Sequence, residues 1–287
     1  MKSKPSITIV GAGSLSMALV PALRAVGYVI QEIVSRESAQ SRGRARRLAR
    51  VAGARAVTMA TARLTADVIW FCVSDGAIAA CAREFAPRAD WTGKAALHSS
   101  GALSSGELEP LRRQGARVAS LHPMMTFVRS SAPSFTGVGF AVEGDRVAVT
   151  VAKAIGRNLG GEVFSIRKSV KPLYHAWGAF GSPLLVMELA LAERVVRASG
   201  IGAGAAKRII EPMVRRTIDN YFAHGAAAAF SGPLVRGDVE TVRRHLRELT
   251  RVPGAREAYL ALARSALKTL PVAKKREMRD TLSVADQ

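Results

Sequence analysis

Four side chains that could move a proton stand where an apolar run ends or a helical stretch begins. His98 closes the run Ala95–His98 and leads into Ser99-Ser100-Gly101. His122 closes Val118–His122 and leads into Pro123-Met124-Met125-Thr126-Phe127. Lys171 and His175 open a long helical stretch. Their separation of four puts the last two on one helix face, and Pro172 fits the first turn, where its missing N–H costs nothing. An ammonium there can protonate or polarise a carbonyl or imine. A surface lysine beside a packed histidine fits the same spacing. Of His98 and His122, one is expected to bond a ligand and the other to brace a loop backbone. A metal is not expected, because no acidic residue is clustered with the three histidines and their spacing carries no helical ligand signature.

A second feature concerns phosphate. Ser6-Ile7-Thr8-Ile9-Val10 runs into Gly11-Ala12-Gly13-Ser14-Leu15-Ser16, and a helical pattern follows through Met17, Leu19, Val20 and Leu23. Strand, glycine turn and helix form the context of a dinucleotide site: Gly11 permits the tight turn, and Gly13 lets the backbone approach a pyrophosphate at the helix N-terminus. Ser16 stands at the third glycine position, which predicts slightly looser helix-to-strand packing. The second strand ends Ile33-Val34-Ser35-Arg36, with Arg42 and Arg44 beyond. A serine hydroxyl and a guanidinium suit the 2′-phosphate of NADP, whereas a terminal acid would suit NAD. The alternative makes Glu32 or Glu37 the ribose acid and the arginines a solvated face. Past the fourth strand, Val73 and Ser74 face the same crevice, with Asp75 expected to cap a helix starting at Gly76; Ser99 follows the fifth.

The elements that must position these groups alternate through the first part of the chain. Candidate strands are Ile7–Val10, Val29–Val34, Ala56–Met59, Val68–Val73, Ala95–His98, Val118–His122, Gly139–Val142 and Glu162–Phe164. Helix-like segments lie between several of them, clearest at Ser14–Val26, Ala39–Val51, Asp75–Phe85, Ser105–Gln114 and Arg146–Leu159. The pattern predicts a doubly wound parallel α/β domain of Rossmann type over 1–166. Beyond Arg167 strand signals stop, and 167–287 reads as an all-helical domain beginning with one long helix, Lys171–Ala198. Asp238 looks like the cap of a helix at Val239–Thr250. Within the first of these helices, the apolar-rich stretch Ala176–Ala192 is short of the roughly 20 residues a membrane span requires and reads as buried.

Composition narrows the function classes. The chain has 287 residues with 48% hydrophobic content, enough for a sizeable core and against intrinsic disorder. Cys72 and Cys81 are the only cysteines, so neither a disulfide framework nor a cysteine zinc site is available, which suits a reducing cytoplasm. Met1–Val10 is too poor in apolar residues for an export signal. The net charge of +20 raises polyanions as partners. However, the arginines are spread along the chain and aromatic residues are few, so a nucleic-acid platform is not expected.

Taken together, the glycine turn, Ser35-Arg36, His98-Ser99-Ser100-Gly101-Ala102-Leu103, His122-Pro123 with Phe127, Tyr174-His175-Ala176 and Ser231-Gly232-Pro233 with Arg236-Gly237-Asp238 resemble a bacterial family of Rossmann-like proteins carrying a C-terminal domain of unknown function. That family is similar to the 6-phosphogluconate dehydrogenase, pyrroline-5-carboxylate reductase and ketopantoate reductase group. The resemblance implies an NADP-binding domain, a helical domain of the 6-phosphogluconate dehydrogenase C-terminal type and a homodimer through those helices. It also implies acid–base work by a lysine and a residue four positions later, as at Lys171 and His175. Ser16 and Ser182-Pro183 depart from the family pattern. The expectation is an NADP-dependent oxidoreductase acting on a small, anionic carbonyl, imine or alcohol between the domains. A non-catalytic NADP(H)-binding redox sensor is the alternative.

Overall fold

A computed structural model describes residues 3–127 and 134–284. Its elements in chain order are β1 (Ile7–Val10), α1 (Ser14–Ala25), β2 (Ile30–Ser35), α2 (Ala39–Ala52), β3 (Arg55–Thr58), β4 (Val68–Phe71), α3 (Asp75–Phe85), β5 (Ala95–His98), α4 (Glu109–Arg112), β6 (Arg117–Pro123), β7 (Gly139–Gly144), α5 (Arg146–Asn158), β8 (Glu162–Ser165) and α6 (Lys171–Gly181). Then come α7 (Pro183–Ala198), α8 (Ala203–Ala229), α9 (Pro233–Arg236), α10 (Val239–Glu248), α11 (Ala255–Thr269) and α12 (Lys275–Val284). The chain divides into two compact units, Met1–Gly181 and Ser182–Gln287, and α6 falls in the first.

The first unit is a Rossmann-type doubly wound α/β structure. Its strands form one sheet in the order β3-β2-β1-β4-β5-β6-β7-β8. The chain moves outward from β1 to β3, then returns to place β4 on the other side of β1. The order therefore reverses between β1 and β4, and ligands of such sheets lie beyond the strand ends at that reversal. One face is covered through Leu19, Leu23, Leu48, Ala152 and Ile155, the other through Ile78, Phe85, Trp91, Leu108 and Leu111. With helices on both faces, the central strands can be buried throughout, as β1 and β4 are. β7 departs from the all-parallel expectation and pairs antiparallel to β6. No helical pattern separates those two strands in sequence, whereas a parallel pair requires a crossover, usually a helix.

The second unit is helical, with a core of Val242, Leu246, Leu260, Ala263, Met278 and Leu282 from α10, α11 and α12. Asp238 caps α10 as expected, its carboxylate accepting from the Thr241 amide at 3.1 Å and hydroxyl at 2.7 Å. Two expectations are corrected. The single helix Lys171–Ala198 is broken at Ser182 (φ −136°, ψ −84°), because the ring of Pro183 disfavours helical backbone in the residue before it and starts a new helix instead. The stretch 176–192 is also not buried: Trp177, Phe180, Leu184, Val186 and Met187 are exposed, and α7 has no buried residue. Among the described residues no helix is long and apolar enough to cross a membrane.

Candidate functional site

The turn after β1 is built around one glycine. Gly11 has φ +111°, and a Cβ placed on it would lie 2.4 Å from the Cys72 carbonyl oxygen, a distance no side chain tolerates. The Gly11 amide donates to the Val34 carbonyl at 2.8 Å, which holds the turn against β2. Gly13 is the N-cap of α1 in extended conformation. It has no side chain to cap with, and the first turn contains no acid. The opening N–H groups at Ser14, Leu15 and Ser16 are thus left for an anion, which the helix dipole favours. Ala12 and Leu15 pack on the core below. Ser16 does not loosen the corner: it is fully buried and its hydroxyl donates to the Gly11 carbonyl at 2.8 Å.

Beyond β2 and β3 lies a cleft of about 300 Å³ lined by Ser35, Glu37, Arg42, Arg46, Thr58 and Thr61, among others. Ser35 is buried and its hydroxyl donates to the Val57 carbonyl at 3.4 Å; Arg36 is exposed. Arg42 pairs with Glu37 at 3.5 Å. Arg44, two residues on, is not among the lining residues. Arg46, Thr58 and Thr61 were missed in sequence, although Arg46 sits one helical turn after Arg42. Glu32 is removed as a ribose acid. It is 2% exposed and braces the following loop, accepting from the Arg63 and Leu64 amides at 3.1 and 3.2 Å and from Arg55 at 3.2 Å.

Past β4, Val73 is half-buried and Ser74 exposed. Ser74 occupies the N-cap of α3 without a side-chain cap bond, and Asp75 is the first helical residue rather than the cap. The Asp75 carboxylate accepts from the Ser100 hydroxyl at 2.9 Å, tying the ends of β4 and β5 together. The Ser99 hydroxyl accepts from the Trp70 indole at 2.8 Å.

The proton-active groups converge on the loop Ser99–Gly101, and they divide by role. His98, expected among the acid–base candidates, is instead a brace: fully buried, its Nδ1 accepts from the Ser100 amide at 3.1 Å while Nε2 donates to the Ser104 carbonyl at 2.9 Å. Neither nitrogen remains for a substrate, and burial pushes the imidazole down to about 4. Lys171 is not a surface lysine. It is 1% exposed and donates to the Ser100 carbonyl at 2.9 Å and the Ser120 hydroxyl at 2.7 Å, with the Glu143 carboxylate 3.9 Å away. Burial lowers its ammonium to about 8, against the opposing pull of Glu143 and Asp75. Glu143 also accepts from the Ser105 amide at 2.7 Å and hydroxyl at 2.9 Å, a brace the sequence reading did not contain.

His122 and His175 reach the opposite side of the same loop. A Cβ on Gly101 would lie 2.6 Å from His175 Cδ2 and 2.8 Å from His122 Nε2, so only a glycine fits between the rings. His122 Nδ1 is 2.8 Å from the Tyr174 hydroxyl, and burial, followed by the Lys171 charge, pushes His122 down to about 4. His175 is exposed. A Cβ on Gly178 would lie 2.9 Å from the Met124 sulfur, so this glycine serves helix packing. Among the described residues no group of three His, Cys, Asp or Glu side chains is placed to hold a metal ion.

A Rossmann-like domain model matches residues 1–123, and the model of DUF2520, a domain of unknown function, matches residues 138–266. The two matches follow one another along the chain. The Rossmann-like segment supplies the glycine turn, the arginine cleft, His98, Gly101 and His122, whereas the DUF2520 segment supplies Glu143, Lys171, Tyr174 and His175. Protein TM1727 from Thermotoga maritima has a similar structure at 23% identity and TM-score 0.70, over 98% of this chain and 100% of that one. An imine reductase from Myxococcus stipitatus in complex with NADP+ is similar at 17% identity and TM-score 0.68, over 96% and 99%. A pyrroline-5-carboxylate reductase from Coxiella burnetii is similar at 15% identity and TM-score 0.58, over 99% and 98%. At these identities the likeness establishes the fold alone. No curated protein matches it.

Proposed function

We propose that the chain is an NADP(H)-dependent oxidoreductase acting on a small, anionic carbonyl, imine or alcohol substrate. The observation that carries this reading is the Gly11 turn, where the Cys72 carbonyl fills the space of a side chain and the N-terminus of α1 has neither cap nor acid. Gly11, Ala12, Gly13, Ser14 and Leu15 would hold the pyrophosphate through the main chain. Val73, Ser74 and Ser99 would complete the contacts past β4 and β5. The cleft with Arg42 and Arg46 supports a 2′-phosphate over a bare ribose, with Arg36 and the buried Ser35 beside it. The bound nicotinamide supplies the hydride, and the protein supplies position and polarisation. In this reading His122 and His175 would meet the substrate. Lys171 acts from behind the Ser100 carbonyl. That the imine reductase of the same fold is a complex with NADP+ adds support.

Titration of NADPH and NADH by cofactor fluorescence tests the reading. NADPH is expected to bind at least tenfold tighter than NADH, the size of one charge-assisted contact. Arg42→Ala with Arg46→Ala should erase most of that preference while leaving NADH affinity unchanged. A protein that binds no NADPH at high micromolar concentration would overturn the proposal. One that binds it, yet exchanges no hydride with keto acids, imines or hydroxy acids, would be a redox sensor.

A further inference from the structure

The Tyr174 hydroxyl is the polar group of this cluster that the reading above does not use. Tyr174 is 8% exposed, and among the described residues its hydroxyl has one hydrogen-bond partner, His122 Nδ1 at 2.8 Å. A phenol carries a single proton, and leaving that donor buried and unmade costs about 1–3 kcal/mol. The arrangement that satisfies it has Tyr174 O–H donating to Nδ1. Because a neutral imidazole carries one N–H, the proton of the His122 ring then resides on Nε2.

His122 Nε2 has no partner among the described residues, and it is not among the side-chain atoms both buried and unsatisfied, so it is open to solvent. The ring is fixed on several sides. Tyr174 packs edge-on at a centroid distance of 5.5 Å and 90°, His175 at 6.1 Å and 70°, and Gly101 leaves no space between the two imidazoles. The charged and titratable groups around it are Lys171, His175, His98 and Tyr174, and the charges named disfavour a second proton on the ring.

We propose that Tyr174 is a positioning residue that holds His122 as the Nε2–H tautomer and turns that N–H outward beside Gly101 as a hydrogen-bond donor to the substrate. The role as a donor to substrate rests on the oxidoreductase reading; the tautomer does not. His122 then polarises a carbonyl or imine without giving up its proton, since neither the imidazole nor the phenol behind it ionises readily. Burial raises that phenol to about 12.

The test is long-range proton–nitrogen correlation NMR on protein labelled with nitrogen-15 histidine, with His122 assigned through His122→Asn. At pH 7 the wild type should give a protonated nitrogen at Nε2 and a bare one at Nδ1. Tyr174→Phe keeps the ring packing and removes the donor, so both tautomers should become populated while NADPH affinity stays within about twofold. A wild-type ring protonated at Nδ1, or a Tyr174→Phe ring that stays wholly Nε2–H, would overturn the assignment. The wild-type spectrum decides the first point even if the variant fails to fold. Loss of NADPH binding in wild type would end the oxidoreductase reading and leave the tautomer result standing.

Discussion

Gly11 is the residue on which the phosphate turn depends most directly, since both its backbone and its surroundings reject a side chain. A left-handed φ of +111° is costly for any other residue, and a Cβ would meet the Cys72 carbonyl at 2.4 Å. Gly11→Ala should lower stability by about 1–3 kcal/mol in urea denaturation and weaken NADPH binding at least tenfold. The buried histidines make a second demand at this scale. His98 and His122 have pKa values of about 4 in the folded protein, against 6.5 for a free imidazole. Below pH 6.5 the unfolded chain takes up protons that the folded one declines. Stability should therefore fall as pH drops from 6.5 to 4, by up to about 3 kcal/mol for each ring. The urea midpoint followed across that window should decline, and His98→Gln, which can still donate to the Ser104 carbonyl, should flatten the decline. A midpoint independent of pH would show that neither ring is held neutral by the fold.

At the scale of elements, α6 begins with a buried lysine, and burial gives that helix start its own pH signature. Lys171 is lowered to about 8 from 10.5, so above pH 8 the unfolded chain retains a proton the folded chain has released. Wild-type stability should rise between pH 8 and 10 relative to Lys171→Met, read as the difference between their denaturation midpoints. At pH 7 the same variant should be destabilised, because Glu143 and the Ser100 carbonyl lose their partner in the interior. The sequence disclosed the elements better than the contacts. β1, β4 and β5 are short, mostly apolar runs, and the glycine turn was legible because its residues are contiguous. Lys171 was not: Ser100 lies in the loop after β5, Ser120 in β6 and Glu143 in β7, and nothing local to the lysine distinguishes burial from exposure. Tyr174 is hidden for the same reason, its partner being 52 residues away. The break at Ser182 escaped a different way. Apolar periodicity continues on both sides of it, and only the steric rule for the residue before proline marks the end of the helix.

At the scale of the whole molecule, the helical unit carries many exposed apolar side chains. α7 has no buried residue and α8 buries only Ala206, while Val186, Met187, Ile209, Met213, Tyr221 and Phe222 are exposed. Contiguous apolar patches beyond a few hundred Å² are rare on soluble monomers and mark sites of association. Helices in proteins draw most of their stability from packing an apolar face, and α7 and α8 together bury only Ala206 fully. We propose a second copy of the chain as the occupant, in line with the homodimer that the family resemblance implies. Two identical chains supply matching apolar faces through a two-fold axis. The net charge of +20 opposes self-association only where charges are not screened, so the dimer should tighten as salt rises. Light scattering on the eluting protein should give twice 30.5 kDa at micromolar concentration. Met187→Glu combined with Met213→Glu, which places carboxylates on those faces, should return the mass to one chain and lower the thermal midpoint, because the two helices then lose the surface that buries them. A wild-type protein that elutes at a single chain's mass, with α7 and α8 still helical by hydrogen exchange, would remove the second copy from the account.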